Sequence, residues 1–252
     1  DENRALRREA VRALAAPRFA GEDVLSVLRM MNAESDPQVR AEMIRTAAGV
    51  KGADAQVLAA VAGLVQPPAD FKGKGKPGNP PPGEPTDREF ERYLQRAALE
   101  GRNAALAAFL NTAEAKALPA ESRALCSLAF GGAAGGQQLL VALPELKRAL
   151  SGEELALLAT NAEDPAIGAA FKSMLSNPTS QQSLIQVLIE FKDRLKDAKL
   201  QPEICAAVRS VAQREPGDTS DGLIIRAASA FRLAELEADL LQIMKRNAQS
   251  KT

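Results

Sequence analysis

Apolar side chains recur at helical spacing along most of the 252-residue chain. Residues 1–16 set Leu6, Ala10, Ala13 and Leu14 on one face and stop at Pro17. Residues 22–32 carry Val24, Val27, Leu28 and Met31 at the i, i+3, i+4, i+7 spacing of one buried stripe. A third helix opens at Asp36-Pro37, an acceptor at the N-cap followed by proline at the first helical position, where its missing N–H costs nothing. Val39, Met43, Ile44 and Ala47 share its inner face, and Gly52 closes the turn before a fourth helix over 54–65. The period then fails from 66 to 85, where seven Pro and four Gly fall in twenty residues and a linker or long loop is expected. Lys72, Lys74 and Lys76 alternate with glycine there, as a solvated tract or as a contact for an acidic partner.

Helices resume at Thr86, whose spacing to Glu89 is that of a capping box, and lead into Phe90, Tyr93, Leu94 and Ala97. Further helices are predicted near 103–116, 120–130, 136–149, 152–162, 165–175, 180–197, 202–214, 221–232 and 234–248. Ser151 and Glu154 form a second capping box. The clearest amphipath is 180–197: Leu184, Leu188, Phe191 and Leu195 oppose Gln186, Glu190, Lys192, Arg194 and Lys196. Glu190 and Arg194 there add an i, i+4 pair worth a few tenths of a kcal/mol. The last helix shows Leu233, Leu236, Leu240, Ile243 and Met244.

Composition agrees with this pattern. Ala (48) and Leu (31) dominate, aromatics make up 4 %, Trp is absent and Tyr occurs once, which suits close-packed helices rather than strands. The expected fold is all-α. A single bundle core cannot use fourteen short helices, whereas stacked pairs bury each stripe against the next pair. With the linker set aside, seven pairs average about 33 residues each, within the range of helical repeats, so an α-α superhelix is expected. It would comprise repeats over 1–65, the linker over 66–85, and repeats continuing over 86–252.

The chain has 32 basic and 32 acidic residues and no histidine. Zero net charge argues against a binder that lives on phosphate neutralisation. Absence of His removes Ser-His-Asp and Cys-His nucleophilic sites, HExxH zinc sites and His-ligated haem from this chain. Cys126 and Cys205 lie in apolar helical runs outside any CxxC or CxxCH motif and read as small buried hydrophobes. No run approaches the length of a membrane span, and no basic-then-apolar leader opens the chain. The first residue is Asp1 rather than Met, as expected of a processed or excised piece.

At Asp36-Pro37-Gln38-Val39-Arg40 the chain resembles a HEAT repeat of the armadillo type. The stripe Val24, Leu25, Val27, Leu28 stands for the first helix, and Glu42 to Gly49 for a second helix of the form xxAxxALG. The resemblance implies that Asp36 caps the second helix and that Arg40 stacks with acidic groups of a neighbouring repeat. Residues 7–14 look like another second helix without its own Asp-Pro, whose partner would lie upstream of Asp1. Asp164-Pro165-Ala166-Ile167 repeats the turn, with Gly168 where the family has Arg. In its order of elements, with residues 87–98 followed by a helix ending near Phe109-Leu110, the chain is also similar to the helical segment of large exported proteins of planctomycetes and verrucomicrobia. In those, a sugar-dehydrogenase-like propeller precedes the solenoid and a c-type cytochrome domain follows it. This second resemblance implies a spacer outside the cytoplasm; without it, a cytoplasmic location stays open.

Candidate chemistry is sparse. Residues 131–136, Gly-Gly-Ala-Ala-Gly-Gly, follow a helix and precede Gln137-Gln138. A P-loop needs a strand before and Lys-Ser/Thr after, so a flexible helix-to-helix corner is expected. Acids cluster at Glu153/Glu154, Glu163/Asp164 and Glu235/Glu237/Asp239. Glycosidase-type acid/base work would need two of them in one pocket, but helix starts and solvated faces explain them without it. The sequence thus points to a non-enzymatic scaffold without cofactor or metal, holding a protein partner or neighbouring domains. Asp36, Pro37, Val39, Arg40, Asp164 and Pro165 are its repeat-motif residues. The competing expectation is a helical-repeat nucleic-acid binder of the DNA-alkylation-repair glycosylase type, disfavoured by the charge balance and the shortage of stacking aromatics.

Overall fold

The computed structural model describes residues 3–68, 84–195, 200–214 and 217–249. Among them the protein is all-helical, with 76 % helix and no strand. Two compact units divide at residues 147 and 148.

The first unit holds α1 (Arg4–Ala13), α2 (Gly21–Met30), α3 (Pro37–Gly49), α4 (Asp54–Gly63), α5 (Glu84–Glu100), α6 (Asn103–Phe109), α7 (Ala113–Lys116), α8 (Ala120–Phe130) and α9 (Gly132–Ala142). Its helices pack in two rows. α1 rests on α3, α3 on α5 and α5 on α8, while α2 rests on α4, α4 on α6 and α6 on α8. Between the rows, Leu25 and Leu28 of α2, Met43 and Ile44 of α3, Leu58 and Val61 of α4, Leu99 of α5 and Leu106 of α6 are buried. Each fully buried Leu or Ile contributes about 1.5–3 kcal/mol from apolar area removed from water.

The second unit holds α10 (Gly152–Thr160), α11 (Pro165–Ser176), α12 (Gln181–Glu190), α13 (Gln201–Arg214), α14 (Asp218–Phe231) and α15 (Glu237–Gln249). The same next-but-one packing recurs: α10 on α12, α12 on α14, and α11 on α13. Leu158, Ile167, Phe171, Ile185, Leu188, Val208, Val211 and Ala227 form its core.

Several boundaries differ from expectation. The helix expected to begin at Thr86 begins at Glu84, with Pro85 in its first turn. The single helix expected over 103–116 is two, because Thr112 Oγ1 donates to the Phe109 carbonyl and accepts the Ala115 N–H at 3.1 Å, ending one helix and capping the next. This split makes fifteen α-helices among the described residues, against fourteen expected. The amphipath predicted over 180–197 stops at Glu190 and tightens into a 3-10 turn over Lys192–Arg194. The Lys72, Lys74 and Lys76 tract and the Arg194 side chain of the expected pair with Glu190 lie outside what the structure describes.

The glycine run is a corner for only two residues. Gly131 and Gly132 take φ of +71° and +58°, where glycine carries no steric penalty. Gly132 is also the first residue of α9, and the rest of the run is helical. A Cβ on Gly135 would sit 2.5 Å from the Ser127 carbonyl oxygen, so this glycine lets α9 lie directly on the α8 backbone.

Candidate functional site

Asp36 Oδ1 accepts the N–H groups of Gln38 at 2.9 Å and Val39 at 3.1 Å, capping α3, with Pro37 in the first turn. Val39 is completely buried beneath. One turn on, Arg40 is only 1 % exposed. Its Nε donates to Glu91 Oε1 of α5 at 2.7 Å, its Nη1 to the Glu34 carbonyl at 2.9 Å, and its Nη2 to the Leu64 carbonyl after α4. One guanidinium therefore ties the loop before α3 and the end of α4 to α5. Glu91 is 0 % exposed and also receives Arg88 on Oε2. Burial pushes its carboxyl upward, and the charges and hydrogen bonds of Arg40 and Arg88 pull against that.

Asp164 repeats the cap, accepting from Ala166 at 3.0 Å and Ile167 at 3.1 Å, with Pro165 behind it and Ile167 fully buried. Gly168 lies against the Ala162 carbonyl so closely that a Cβ would overlap it. The position that carries Arg in the first motif is used here for backbone contact instead, so Asp36 and Asp164 share the cap and not the tether.

Three of the acids weighed for chemistry, Glu154, Asp164 and Asp239, are engaged structurally. Glu154 is buried, completes the Ser151 capping box and receives Arg148 at 2.7 Å. Asp164 caps α11. Asp239 pairs with Arg209 at 3.0 Å, and the same guanidinium reaches the Glu235 carbonyl. No group of three His, Cys, Asp or Glu residues placed to hold a metal ion occurs among the described residues. Cys126 and Cys205 are buried free thiols; burial lifts the first to about 12 and raises the second, which suppresses thiolate chemistry. No helix among the described residues is long and apolar enough to cross a membrane.

Outward of the motif, α1, α3 and α5 enclose a cleft of about 290 Å³. Glu42 lies under its wall and pairs with Arg12 and Arg45, each at 3.2 Å. Burial alone would raise the Glu42 carboxyl, but hydrogen bonds and charge from these arginines hold it below the usual carboxylate range. Asp87 accepts from Gln38 Nε2 at 3.2 Å. The Arg45 guanidinium stands 5.4 Å from the centroid of the Phe90 ring. Phe90 in turn stacks with Tyr93 at 6.3 Å, and the two are 45 % and 65 % exposed. Arg8 lines the same cleft, with Glu9 at 3.8 Å and no acceptor for its Nε–H.

Sequence reasoning did not single out this surface. α5 turns Glu91, Arg92 and Gln95 inward and leaves Phe90 and Tyr93 out, the reverse of what apolar spacing implies. The available signal was the i, i+4, i+8 row Arg4, Arg8, Arg12 on α1. Comparison with protein-family models, with curated proteins and with solved structures found no match to this chain.

Proposed function

We propose that the chain is a non-catalytic scaffold or interdomain spacer made of HEAT-like helical repeats, working through the outer face of a helix row to hold a protein partner or neighbouring domains. The observation that carries this reading is the next-but-one packing of α1 on α3, α3 on α5, α2 on α4, α4 on α6 and α6 on α8 in the first unit, and of α10 on α12, α12 on α14 and α11 on α13 in the second. Nearest-neighbour stacking of that kind is what a solenoid requires. The Arg40–Glu91 pair supports it further, because it joins α3 of one helix pair to α5 of the next, where the resemblance to HEAT repeats expects such a contact. Buried acids neutralised by Arg40, Arg88, Arg12, Arg45 and Arg148 are consistent with a structural rather than a catalytic use of carboxylates.

Small-angle scattering tests the architecture. A compact chain of this length has a radius of gyration of about 18 Å; a solenoid gives a clearly larger value, and a value at the compact limit overturns the proposal. Retention on heparin that falls with salt would favour the nucleic-acid reading instead. The expected outcome is elution at low salt.

A further inference from the structure

Building on the scaffold reading, we infer that the cleft between α1, α3 and α5 docks an acidic protein segment with an aromatic side chain, its carboxylates on Arg8 and Arg45 and its ring on Phe90 and Tyr93. The hydrogen-bonding balance of the cleft sets the sign of the ligand. Its two acids are already served, Glu42 by Arg12 and Arg45 and Asp87 by Gln38. Its remaining capacity is donor capacity. Arg12 spends its Nε, Nη1 and Nη2 on Glu9 and Glu42, but Arg45 spends only Nη1 and Arg8 makes no hydrogen bond, its one acidic neighbour standing at 3.8 Å. Guanidinium forks with open N–H groups fit planar carboxylates bidentately. Arg45 also stands within cation–π distance of Phe90, 5.4 Å from the ring centroid, so the charged and aromatic halves of the site adjoin.

The aromatic half of the site adds a second requirement. Phe90 and Tyr93 present a stacked, outward pair on the rim of the cleft, and exposed aromatics beside arginine are the residue types that anchor protein interfaces. A volume of about 290 Å³ holds a side chain or two, which fits a segment rather than a folded surface. A nucleic acid fits less well. Glu9, Glu42 and Asp87 share the surface and repel a continuous phosphate backbone, and the chain's zero net charge supplies no field to offset them. Discrete carboxylates can settle between those acids.

The test is fluorescence anisotropy of the full chain with three labelled probes: a short peptide of Glu, Asp and Gly with central Phe residues, the same peptide with Lys for each acid, and a single-stranded DNA of matching length. The acidic peptide is expected to bind saturably and to weaken with salt. Arg8→Gln should weaken it about fivefold and Phe90→Ala about tenfold, while the Lys peptide and the DNA fail to bind. Arg8 makes no hydrogen bond that folding relies on, so its variant stays folded, and Tyr93→Ala serves as the second aromatic probe. Equal binding of the Lys peptide, tighter binding of the DNA, no binding of the acidic peptide, or an unchanged affinity in both Arg8→Gln and Tyr93→Ala would each overturn the inference. If the peptide fails while scattering shows an extended particle, the docking inference falls and the scaffold reading stands; a compact particle removes the scaffold reading whatever the peptide does.

Discussion

Arg40 shows how much one side chain can carry when it is buried with its partners. Its guanidinium holds Glu91 and the carbonyls of Asn32, Glu34 and Leu64, so truncating it takes one of two arginines from a buried carboxylate and leaves several acceptors unmet together. Arg40→Met is expected to cost about 3–5 kcal/mol in urea denaturation, the range for breaking one side of a buried pair. A double variant Arg40→Met with Glu91→Leu should recover part of that loss, because the buried carboxylate is gone and only the partly buried Arg88 loses this partner. Two glycines separate close approach from idle flexibility. Gly135→Ala pushes a methyl into the Ser127 carbonyl and should destabilise by about 1–3 kcal/mol. Gly222→Ala meets open space within helix α14 and should stabilise by about 0.5–1 kcal/mol. Thermal or urea midpoints of the two variants should therefore move in opposite directions. Arg40 stood out in the sequence through the Asp-Pro turn four residues before it. Its partner did not, because Glu91 lies 51 positions away across the Pro/Gly-rich stretch and nothing local marks it.

Elements announced by local chemistry were legible in the sequence. The caps at Asp36, Ser151 and Asp164 all sit where their hydrogen bonds require, since an N-cap depends only on residues within one turn. Asp36→Ala and Asp164→Ala should each cost about 1 kcal/mol by chemical denaturation, the former somewhat more because Asp36 also lies 3.7 Å from Arg4 of α1. Elements whose limits depend on packing were less legible. The break at residues 110–112 depends on Thr112 bridging back to Phe109, and α12 stops short although its apolar period runs on to Leu195. The face of α5 was the least readable. Its spacing offers Phe90, Tyr93, Leu94 and Ala97 to a core, yet Gln95 is fully buried with neither amide atom paired, and the aromatics stay outside. Arg40 reverses the usual preference, because a buried guanidinium needs Glu91 beside it and thereby fixes the rotation of the whole helix.

Across the molecule, zero net charge conceals specific pairing, in which basic residues serve buried and half-buried acids. Burial alone would raise Glu34, Glu42 and Glu203, but Arg7, then Arg12 with Arg45, and Lys172, with backbone N–H groups at Glu34 and Glu203, hold all three below the ordinary glutamate value. A carboxyl with a depressed folded pKa stabilises the fold above its unfolded value, and that stabilisation is lost as pH falls through the folded value. Urea midpoints should thus stay level with respect to these groups from about pH 7 to 5 and drop below about pH 4. Replacing the three glutamates with glutamine should lower stability at neutral pH and flatten the acid loss. The sequence by itself determined the helical class and the caps at Asp36, Ser151 and Asp164, though not the one expected at Thr86, because these follow from propensity and from hydrogen bonds spanning a few residues. Tertiary structure alone decided which helix rests on which, where the two units part, and that α5 buries Glu91 and Arg92 and exposes its rings. Those outcomes depend on partners far apart in the chain, whose gain in buried contact outweighs the local preference for apolar faces to turn inward.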